Sequence, residues 1–331
     1  MLKSESKEKA ILALQMANYS PAKLALIHTG VASVVSLVIL VINYLLGQGM
    51  GTGGLAEMDT RAVLQTAQMT LTVGSMILTP FWNFGLVYAM LSVSRQASAQ
   101  PKDLLEGFRR FGPVLRLLLL QGLLYFGVIM ACVQLATMVF TFTSLSESMY
   151  AQREQILAGA TSAELVLDTE AVAALLPSLI PFYVIFGVLF CVVAIPLLYR
   201  FRMAQYLLMD QKGTGALPAL VLSARMMKGH RFQLFRMDLG YWWYYLLQLV
   251  IAGTAYLDVL LPALGIGMGI NSDVLLFGSF VLYLGLQLVF AYKWIAPVQT
   301  AYACAYDFLK EQMPPLPTVD VRTQNPWNKE Q

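Results

Sequence analysis

The sequence predicts an all-α integral membrane protein, a six-helix bundle with two amphipathic helices at its cytoplasmic surface. Of its 331 residues, 58% are hydrophobic and only 12% are charged, against about 45–50% and about 25% in soluble domains. Six apolar runs are each long enough to cross about 30 Å of hydrocarbon as a helix. The intervening loops are too short to bury a separate soluble core.

The predicted transmembrane domain covers residues 24–298, between an N-terminal arm (1–23) and a C-terminal tail (299–331). The arm is polar and lacks the small-residue cleavage pattern of a signal peptide, so we expect the first span to be retained as an anchor. The six predicted spans are residues 24–46, 67–93, 114–142, 177–199, 239–264 and 274–298.

Lysine and arginine residues are distributed unevenly between the two sides of these spans. Nineteen of the 22 lie in the arm, in the loops 95–116 and 200–236, or in the tail. Arg61 and Arg153 lie on the opposite side, and Lys293 is near the end of the last span. Because cytoplasmic loops carry the excess of basic residues, both termini are predicted to be cytoplasmic and the number of spans to be even.

The predicted outer loops are short or acidic. Residues 47–54 form a glycine-rich turn, whereas residues 143–176 contain five acidic residues and a single arginine. Thr161 and Glu164 have the spacing of a capping box at a helix start. The acidic surface is either a solvated face or a site for cations or a basic peptide.

Each of the two large cytoplasmic loops contains a predicted amphipathic helix. In residues 101–112 and 218–229, a proline is followed eleven residues later by a glycine, as at the two ends of a helix. The apolar face of the first comprises Leu104, Leu105, Phe108 and Phe111. The apolar face of the second comprises Leu220, Val221, Ala224 and Met227, with Ser223 on its polar side.

Basic side chains of these loops are predicted to contact anionic headgroups at the inner leaflet. Trp242 and Trp243, within the aromatic run 241–245, are expected to anchor a helix at headgroup level; a lipid-headgroup or quaternary-ammonium site on these rings is the alternative. The basic candidates are Arg109, Arg110, Arg225, Lys228, His230 and Arg231.

The two loops also raise the hypothesis of an internal duplication. Pro80 and Pro196 precede the loop prolines by 21 and 22 residues, so residues 72–127 and 188–247 would be parallel repeats. Such repeats occur in transporters, with a site between the units. Chance spacing among fourteen prolines is the rival explanation.

Polar residues inside the predicted spans are candidates for ligand contact. Thr72, Ser75, Thr79 and Asn83 recur at helical spacing and therefore share one face. They either form hydrogen bonds between helices or line a substrate cavity. Asp258 is predicted at the outer boundary, where it meets solvent, a ligand or another helix. It is too far from Lys293 to form an ion pair, which disfavours a proton relay.

The sequence predicts no catalytic residue, no metal ligand and no cofactor. Cys132, Cys191 and Cys304 lie in apolar segments without metal-binding spacing, and the chain contains only two histidines. Ser223, His230 and Asp238 occur in triad-like order but share a short basic segment without a nucleophile elbow. We therefore expect a protein that is not an enzyme.

Residues 199–247 resemble the hallmark segment of domain-of-unknown-function family 975, a family of bacterial polytopic membrane proteins. The matching features are Ser223, the Met-Lys-Gly turn at 227–229, and Leu-Phe-x-x-Asp-Leu at 234–239. Residues 9–19 and 294–308 are also similar to the family. At 240–243 this chain has Gly-Tyr-Trp-Trp, where the family usually has Ser-Phe-x-Gly-Trp.

The resemblance implies a multi-pass protein of the bacterial cytoplasmic membrane and implies no particular activity. Related six-span domains accompany glycerophosphodiester-cleaving enzymes, which favours a lipid by analogy. The leading hypothesis is binding or handling of a lipid or amphiphile at the cytoplasmic leaflet. The alternatives are a small-solute transporter and a scaffold for another membrane complex. Expected partners are membrane lipids with anionic headgroups and a membrane protein, with no nucleic acid.

Overall fold

The protein is helical throughout the part of the chain that the structure describes. A computed structural model describes residues 2–17, 19–48, 55–142, 180–211, 213–263 and 271–313, and no strand occurs among them. Within these described ranges, five helices are long and apolar enough to cross a membrane: Pro21–Leu46, Ala62–Ser94, Phe111–Thr141, Ile180–Asp210 and Ser272–Glu311. The prediction of an all-helical membrane protein is thus confirmed.

The first half of the chain forms three long helices preceded by a shorter one. Helix α1 (Leu2–Met16) occupies most of the predicted arm, α2 (Pro21–Gln48) begins with a proline that suits the first helical turn, and α3 (Leu55–Ser94) continues through Pro80. A short α4 (Glu106–Arg109) precedes α5 (Phe111–Thr141). The three long helices therefore overlap the predicted segments 24–46, 67–93 and 114–142.

Prolines shape the helices of the second half. A helical segment that begins at residue 180 contains a π-helical turn at Phe190–Ala194. Helix α6 (Ile195–Tyr199) follows this turn directly, and α7 (Ala204–Asp210) begins after a short break in the helix. Because proline lacks an N–H and its ring clashes with the preceding turn, the backbone widens before Pro196. A second π-helical turn, Ala291–Ile295, stands before Pro297.

The fifth predicted span, 239–264, is interrupted by a turn. Helices α8 (Ala216–Met226) and α9 (Arg231–Gly240) lead to α10 (Trp242–Thr254) and α11 (Leu257–Ala263). The N–H groups of Ala255 and Tyr256 donate to carbonyls three residues earlier, which ends α10. Hydropathy measures apolar length but not such a break, so the count of six spans is not confirmed.

The last span is longer than its sequence suggests. Helix α12 (Ser272–Phe290) continues through the π-helical turn into α13 (Ala296–Glu311). The predicted boundary at residue 298 therefore falls inside a helix. Several residues of α13 beyond the boundary are buried, and Thr300 and Tyr306 are fully so. The sequence predicts a tail here because this segment is less apolar than the spans. In the structure, the other helices of the bundle cover these residues.

The core is concentrated at one end of the bundle. Helix α1 packs along α13 and also contacts α3 and α9, while α3 contacts both α7 and α13. Phe81, Met90, Leu207 and Tyr306 are among the largest fully buried side chains. Many apolar side chains of the long helices are exposed elsewhere, as expected for surfaces that face lipid.

Residues 101–112 do not form the single amphipathic helix that was predicted. They comprise a 3₁₀ turn (Pro101–Leu105), α4 and the start of α5, so that Gly112 lies inside a helix. Leu104 is fully buried, and the Phe81 ring stacks on that of Phe111 at 4.7 Å between centroids. The segment packs against α3 because its apolar side chains find a protein surface there.

Two glycines allow this close packing. A Cβ atom on Gly85 would lie 1.8 Å from the Leu104 carbonyl oxygen, and one on Gly107 would lie 2.0 Å from the Phe81 carbonyl oxygen. Neither position has room for any other residue without movement of the backbone.

The segment predicted as the second amphipathic helix overlaps α8, and Gly229 follows this helix with a φ of +87° that favours glycine. Its buried face differs from the prediction, because Ser223 is buried and Val221 is exposed. The Ser223 hydroxyl donates to the Arg200 carbonyl at 3.1 Å, which satisfies a polar group on the packed side.

The prolines of three spans share one spacing. Pro80, Pro196 and Pro297 each lie fourteen residues before a helix ends, at Ser94, Asp210 and Glu311 respectively. The loops after the first two differ, because only the second contains a full helix between its proline and glycine. The internal duplication therefore stays a prediction.

Some predictions concern residues outside the described part of the chain. The acidic loop 143–176, with Thr161 and Glu164, is one, and residues 49–54 of the glycine-rich turn are another. Gly47 and Gln48 are the last residues of α2.

Candidate functional site

Two buried aspartates organise the packed end of the bundle. Asp210 is the last residue of α7 and Asp238 lies near the end of α9, and their side chains are only 6% and 11% exposed. Both accept hydrogen bonds from α13. We call their surroundings the Asp210 cluster (Arg95, Asp210, Tyr306, Asp307, Lys310) and the Asp238 cluster (Tyr199, Arg202, Asp238, Tyr245, Tyr302).

The Asp210 cluster connects the ends of three helices. Asp210 accepts from Arg95, from the Tyr306 hydroxyl at 2.8 Å and from the Lys310 ammonium at 2.5 Å. Arg95 also donates to Asp307 at 2.6 Å, and Ser94 donates to the same carboxylate at 3.1 Å. Each carboxylate thus has a cation beside it, which compensates for its removal from water.

Arg95 is the residue that joins the two carboxylates of this cluster. Its guanidinium presents several donors in a fixed plane, so it serves Asp210 and Asp307 at once. The hydrogen bond to Asp210 raises the pKa of Arg95 above its ordinary value. Arg95 therefore carries its positive charge at neutral pH.

The Asp238 cluster surrounds one arginine with aromatic rings. Asp238 forms an ion pair with Arg202, and the Tyr199 and Tyr302 hydroxyls donate to it, the latter at 2.5 Å. The Arg202 guanidinium lies 5.2 Å from the Tyr199 ring centroid and 5.1 Å from that of Tyr302. The hydroxyls of Tyr245 and Tyr302 are 2.9 Å apart.

Sequence reasoning missed both clusters. It assigned Arg95, Arg202, Asp210 and Asp238 to cytoplasmic loops and looked for ion pairs only within the spans. A signal was present in the tyrosines at 302 and 306, which lie one helical turn apart and project from the same face of α13. Their partners are 64 and 96 residues away in the chain and cannot be read from local spacing.

A cleft of about 680 Å³ lies beside the Asp210 cluster, between α1, the end of α3 and α13. Its lining includes Lys9, Arg95, Gln96, Asp307 and Glu311.

Gln96 follows the end of α3 and has a φ of +56°. The next N–H, that of Ala97, donates to the Ser92 carbonyl at 2.9 Å. This is a C-terminal cap in which glycine is the usual residue.

Arg110 has a different role from the predicted contact with headgroups. Its side chain is only 14% exposed, forms an ion pair with Glu106 at 3.2 Å, and donates to the carbonyls of Leu208 and Met209 at 2.9 and 3.0 Å. These carbonyls are in the last turn of α7, where an arginine complements the helix dipole. Arg110 therefore connects two elements of the packed end.

The other predicted basic residues differ in exposure. Arg109 is 60% exposed, with a longer contact to Glu106 at 3.4 Å, and Arg225 and Lys228 are exposed on and just after α8. His230 contacts Gln233 at 3.3 Å. The Nε atom of Arg231 is buried without a hydrogen bond in the described chain.

Trp242 and Trp243 begin α10 and are both exposed, although the Trp243 ring also meets Trp294 edge to face at 6.2 Å. Asp258 is half-buried in the first turn of α11. It lies on a different element from either aspartate cluster.

Two hydroxyl groups on the predicted polar face of α3 form hydrogen bonds within their own helix. The Ser75 hydroxyl donates to the Thr72 carbonyl at 2.8 Å, and the Thr79 hydroxyl donates to the Ser75 carbonyl at 2.6 Å. Thr72, Thr79 and Asn83 are exposed. These contacts satisfy the hydroxyl groups without a second helix, as serine and threonine do in apolar surroundings.

Ser223, His230 and Asp238 are not assembled into a triad. Ser223 donates to a backbone carbonyl, His230 contacts Gln233, and Asp238 is occupied by Arg202 and two tyrosines. Among the described residues, no three His, Cys, Asp or Glu side chains are grouped to hold a metal ion.

Apolar helices of membrane-spanning length, joined at one end by buried ion pairs, define a multi-pass membrane protein. The model of a family described as a protein of unknown function, DUF975, matches residues 1–306. The chain belongs to this family, which confirms the resemblance drawn from the segment around Ser223 and Asp238. No curated protein and no solved structure matches the chain.

Proposed function

We propose that this protein binds anionic lipid at the cytoplasmic leaflet of the bacterial plasma membrane, with both termini in the cytoplasm. The observation that carries the proposal is a basic rim, defined as Arg109, Arg225 and Lys228, at the packed end of the bundle. All three side chains are exposed, and none is held by a short ion pair in the part of the chain described.

Exposed apolar side chains accompany this rim. Leu105 and Phe111 are exposed beside Arg109, and Leu217 and Val221 are exposed on the helix that carries Arg225. Exposure of these four apolar side chains to water would be unfavourable. At a membrane interface, the apolar groups enter the acyl region and the cations meet the phosphates, so both are accommodated.

The contrast with the remaining arginines supports the same proposal. Arg95, Arg110 and Arg202 are neutralised by carboxylates inside the protein. Among the described residues, Arg225 and Lys228 have no such partner and Arg109 has only a 3.4 Å contact with Glu106, so these three cations are available to an external anion. Nineteen basic residues on one predicted side support the assignment of that surface to the inner leaflet by the positive-inside rule.

The test measures lipid binding by the full chain in detergent micelles. Phosphatidylglycerol and phosphatidylcholine with identical acyl chains are titrated separately, and bound lipid is counted by native mass spectrometry. The rim variant Arg109→Gln/Arg225→Gln/Lys228→Gln is expected to lose the preference for phosphatidylglycerol, with roughly tenfold weaker binding or more, at about 1 kcal/mol for each cation.

A matched control removes three other exposed cations: Lys9→Gln/Lys23→Gln/Arg236→Gln. It lowers the net charge equally but leaves the rim intact, so it is expected to keep most of the preference. Equal losses in the two variants would overturn the proposal, because binding would then follow total charge alone.

A further inference from the structure

A small apolar crevice lies where the first turns of α5 meet the start of α8. Its volume is about 440 Å³, within the roughly 300–1,000 Å³ of small-molecule sites. The walls are formed by Leu119 and Leu120 on one side and by Leu217 and Pro218 on the other, with Arg116 at the edge. The lining is almost entirely apolar apart from this one cation.

Arg116 differs from the other arginines of the packed end. It is exposed and makes no ion pair or hydrogen bond within the described residues, whereas Arg95, Arg110 and Arg202 each have a carboxylate partner. It follows the first residue of α5 by five positions, which is about 8 Å along the helix axis. Arg116 therefore lies within the first two turns of a helix that is long and apolar enough to cross a membrane.

An exposed cation near the end of a membrane-spanning helix can reach the anionic phosphates of the headgroup region. The neighbouring apolar walls provide no anionic group, and exposed Leu119 and Leu217 leave the crevice open on its side. Charge complementarity thus selects an anion that carries a hydrocarbon chain. A phospholipid meets both requirements, with its phosphate beside Arg116 and an acyl chain along the leucines.

We infer that the crevice at Arg116 is a specific site for one anionic phospholipid of the inner leaflet. The inference rests on the proposed lipid function and extends it from a general surface to a single site. Arg116 supplies the charge, and Leu119, Leu120 and Leu217 supply the contact for the chain. The site differs from the basic rim in having apolar walls around its cation.

The experiment uses the full chain in detergent micelles with phosphatidylglycerol as the probe, and native mass spectrometry resolves the first, tightest lipid. Arg116→Gln is expected to weaken that first binding event roughly fivefold to tenfold. Arg116→Lys retains the charge and is expected to stay within about threefold of the wild type. Arg236→Gln, which removes an exposed cation that belongs neither to the crevice nor to the basic rim, is the control and is expected to leave the event unchanged.

Short-chain dihexanoyl phosphatidylglycerol distinguishes a lipid from a headgroup alone. If the leucine walls contact an acyl chain, the short-chain lipid is expected to bind at least tenfold more weakly than the long-chain lipid. Equal affinity for the two would overturn the assignment of a lipid. Unchanged first binding in Arg116→Gln, with Arg116→Lys also unchanged, would overturn the site itself.

The rim variant separates the two proposals. If it loses phosphatidylglycerol preference while Arg116→Gln keeps the first binding event, the proposed function stands and the specific site falls. If only Arg116→Gln loses the event, the site stands and the rim does not carry the function. If the rim variant loses the preference and Arg116→Gln loses the first binding event, both proposals are supported. If neither variant differs from the wild type, both proposals are overturned.

Discussion

Tyr302 and Tyr306, one turn apart on α13, donate to two different aspartates. The Tyr302 hydroxyl lies 2.5 Å from Asp238, and the Tyr306 hydroxyl lies 2.8 Å from Asp210. One face of α13 therefore contacts the ends of both α7 and α9. Because the two carboxylates pair with different arginines, Arg202 and Arg95, the clusters are adjacent but separately neutralised.

The first prediction concerns the bond between Tyr302 and Asp238. Tyr302→Phe and Asp238→Asn are each expected to lower the free energy of unfolding, and a double-mutant cycle is expected to give a coupling of about 1 kcal/mol. Unfolding by sodium dodecyl sulfate in mixed micelles provides the measurement. The control cycle pairs Tyr306→Phe with Asp238→Asn, and additivity within about 0.5 kcal/mol is expected there. Equal coupling in the two cycles would refute separate clusters.

The second prediction concerns the two carboxylates held by Arg95. Arg95→Lys keeps the charge but cannot donate in the same plane to both Asp210 and Asp307. Since Arg95 is 39% exposed, the expected loss of unfolding free energy is only about 1 kcal/mol. Arg109→Lys, at a more exposed pair, is expected to change it by less than about 0.5 kcal/mol. A loss at Arg109 as large as that at Arg95 would contradict the role given to Arg95.

The third prediction concerns the contact of α3 with the 3₁₀ turn. Gly85→Ala places a methyl group on the Leu104 carbonyl, and is expected to cost about 2 kcal/mol or more because backbone must move. Gly74→Ala, in the same helix, has no atom within 4 Å of its Cβ position. It is expected to be neutral or to stabilise by up to about 1 kcal/mol. Thermal unfolding of both variants in detergent measures the difference, and a harmless Gly85→Ala would show that the turn can separate from α3.

Hydropathy identifies apolar helices because burial in lipid requires a long uninterrupted apolar run, and this is a local property of the chain. It does not detect the backbone turns at Ala255 and Tyr256, which interrupt the apolar sequence at 239–264. It also ended the last span at residue 298, although α13 extends to Glu311. Hydropathy reports the apolar content of both segments. It does not report where their helices end, because the helix ends depend on packing and on hydrogen bonds.

The candidate site was less accessible to sequence reasoning. Arg109, Arg225 and Lys228 were identified as exposed cations from their amphipathic context, and the structure leaves all three exposed. Arg110, one residue from Arg109, was assigned to the same surface, yet it packs inward against α7. A shift of one residue rotates a helical side chain by about 100°, and the assignment fails when the helix is shorter than predicted.

The sequence by itself determined that this is a helical, multi-pass membrane protein of the DUF975 family, since composition, apolar run length and the segment around Ser223 suffice for both. Only the tertiary structure decided which charges meet. Asp210 pairs with Arg95 across 115 residues and Asp238 bonds to Tyr302 across 64. The physical reason is that a buried charge needs a partner in space, and no local periodicity encodes which distant helix provides it.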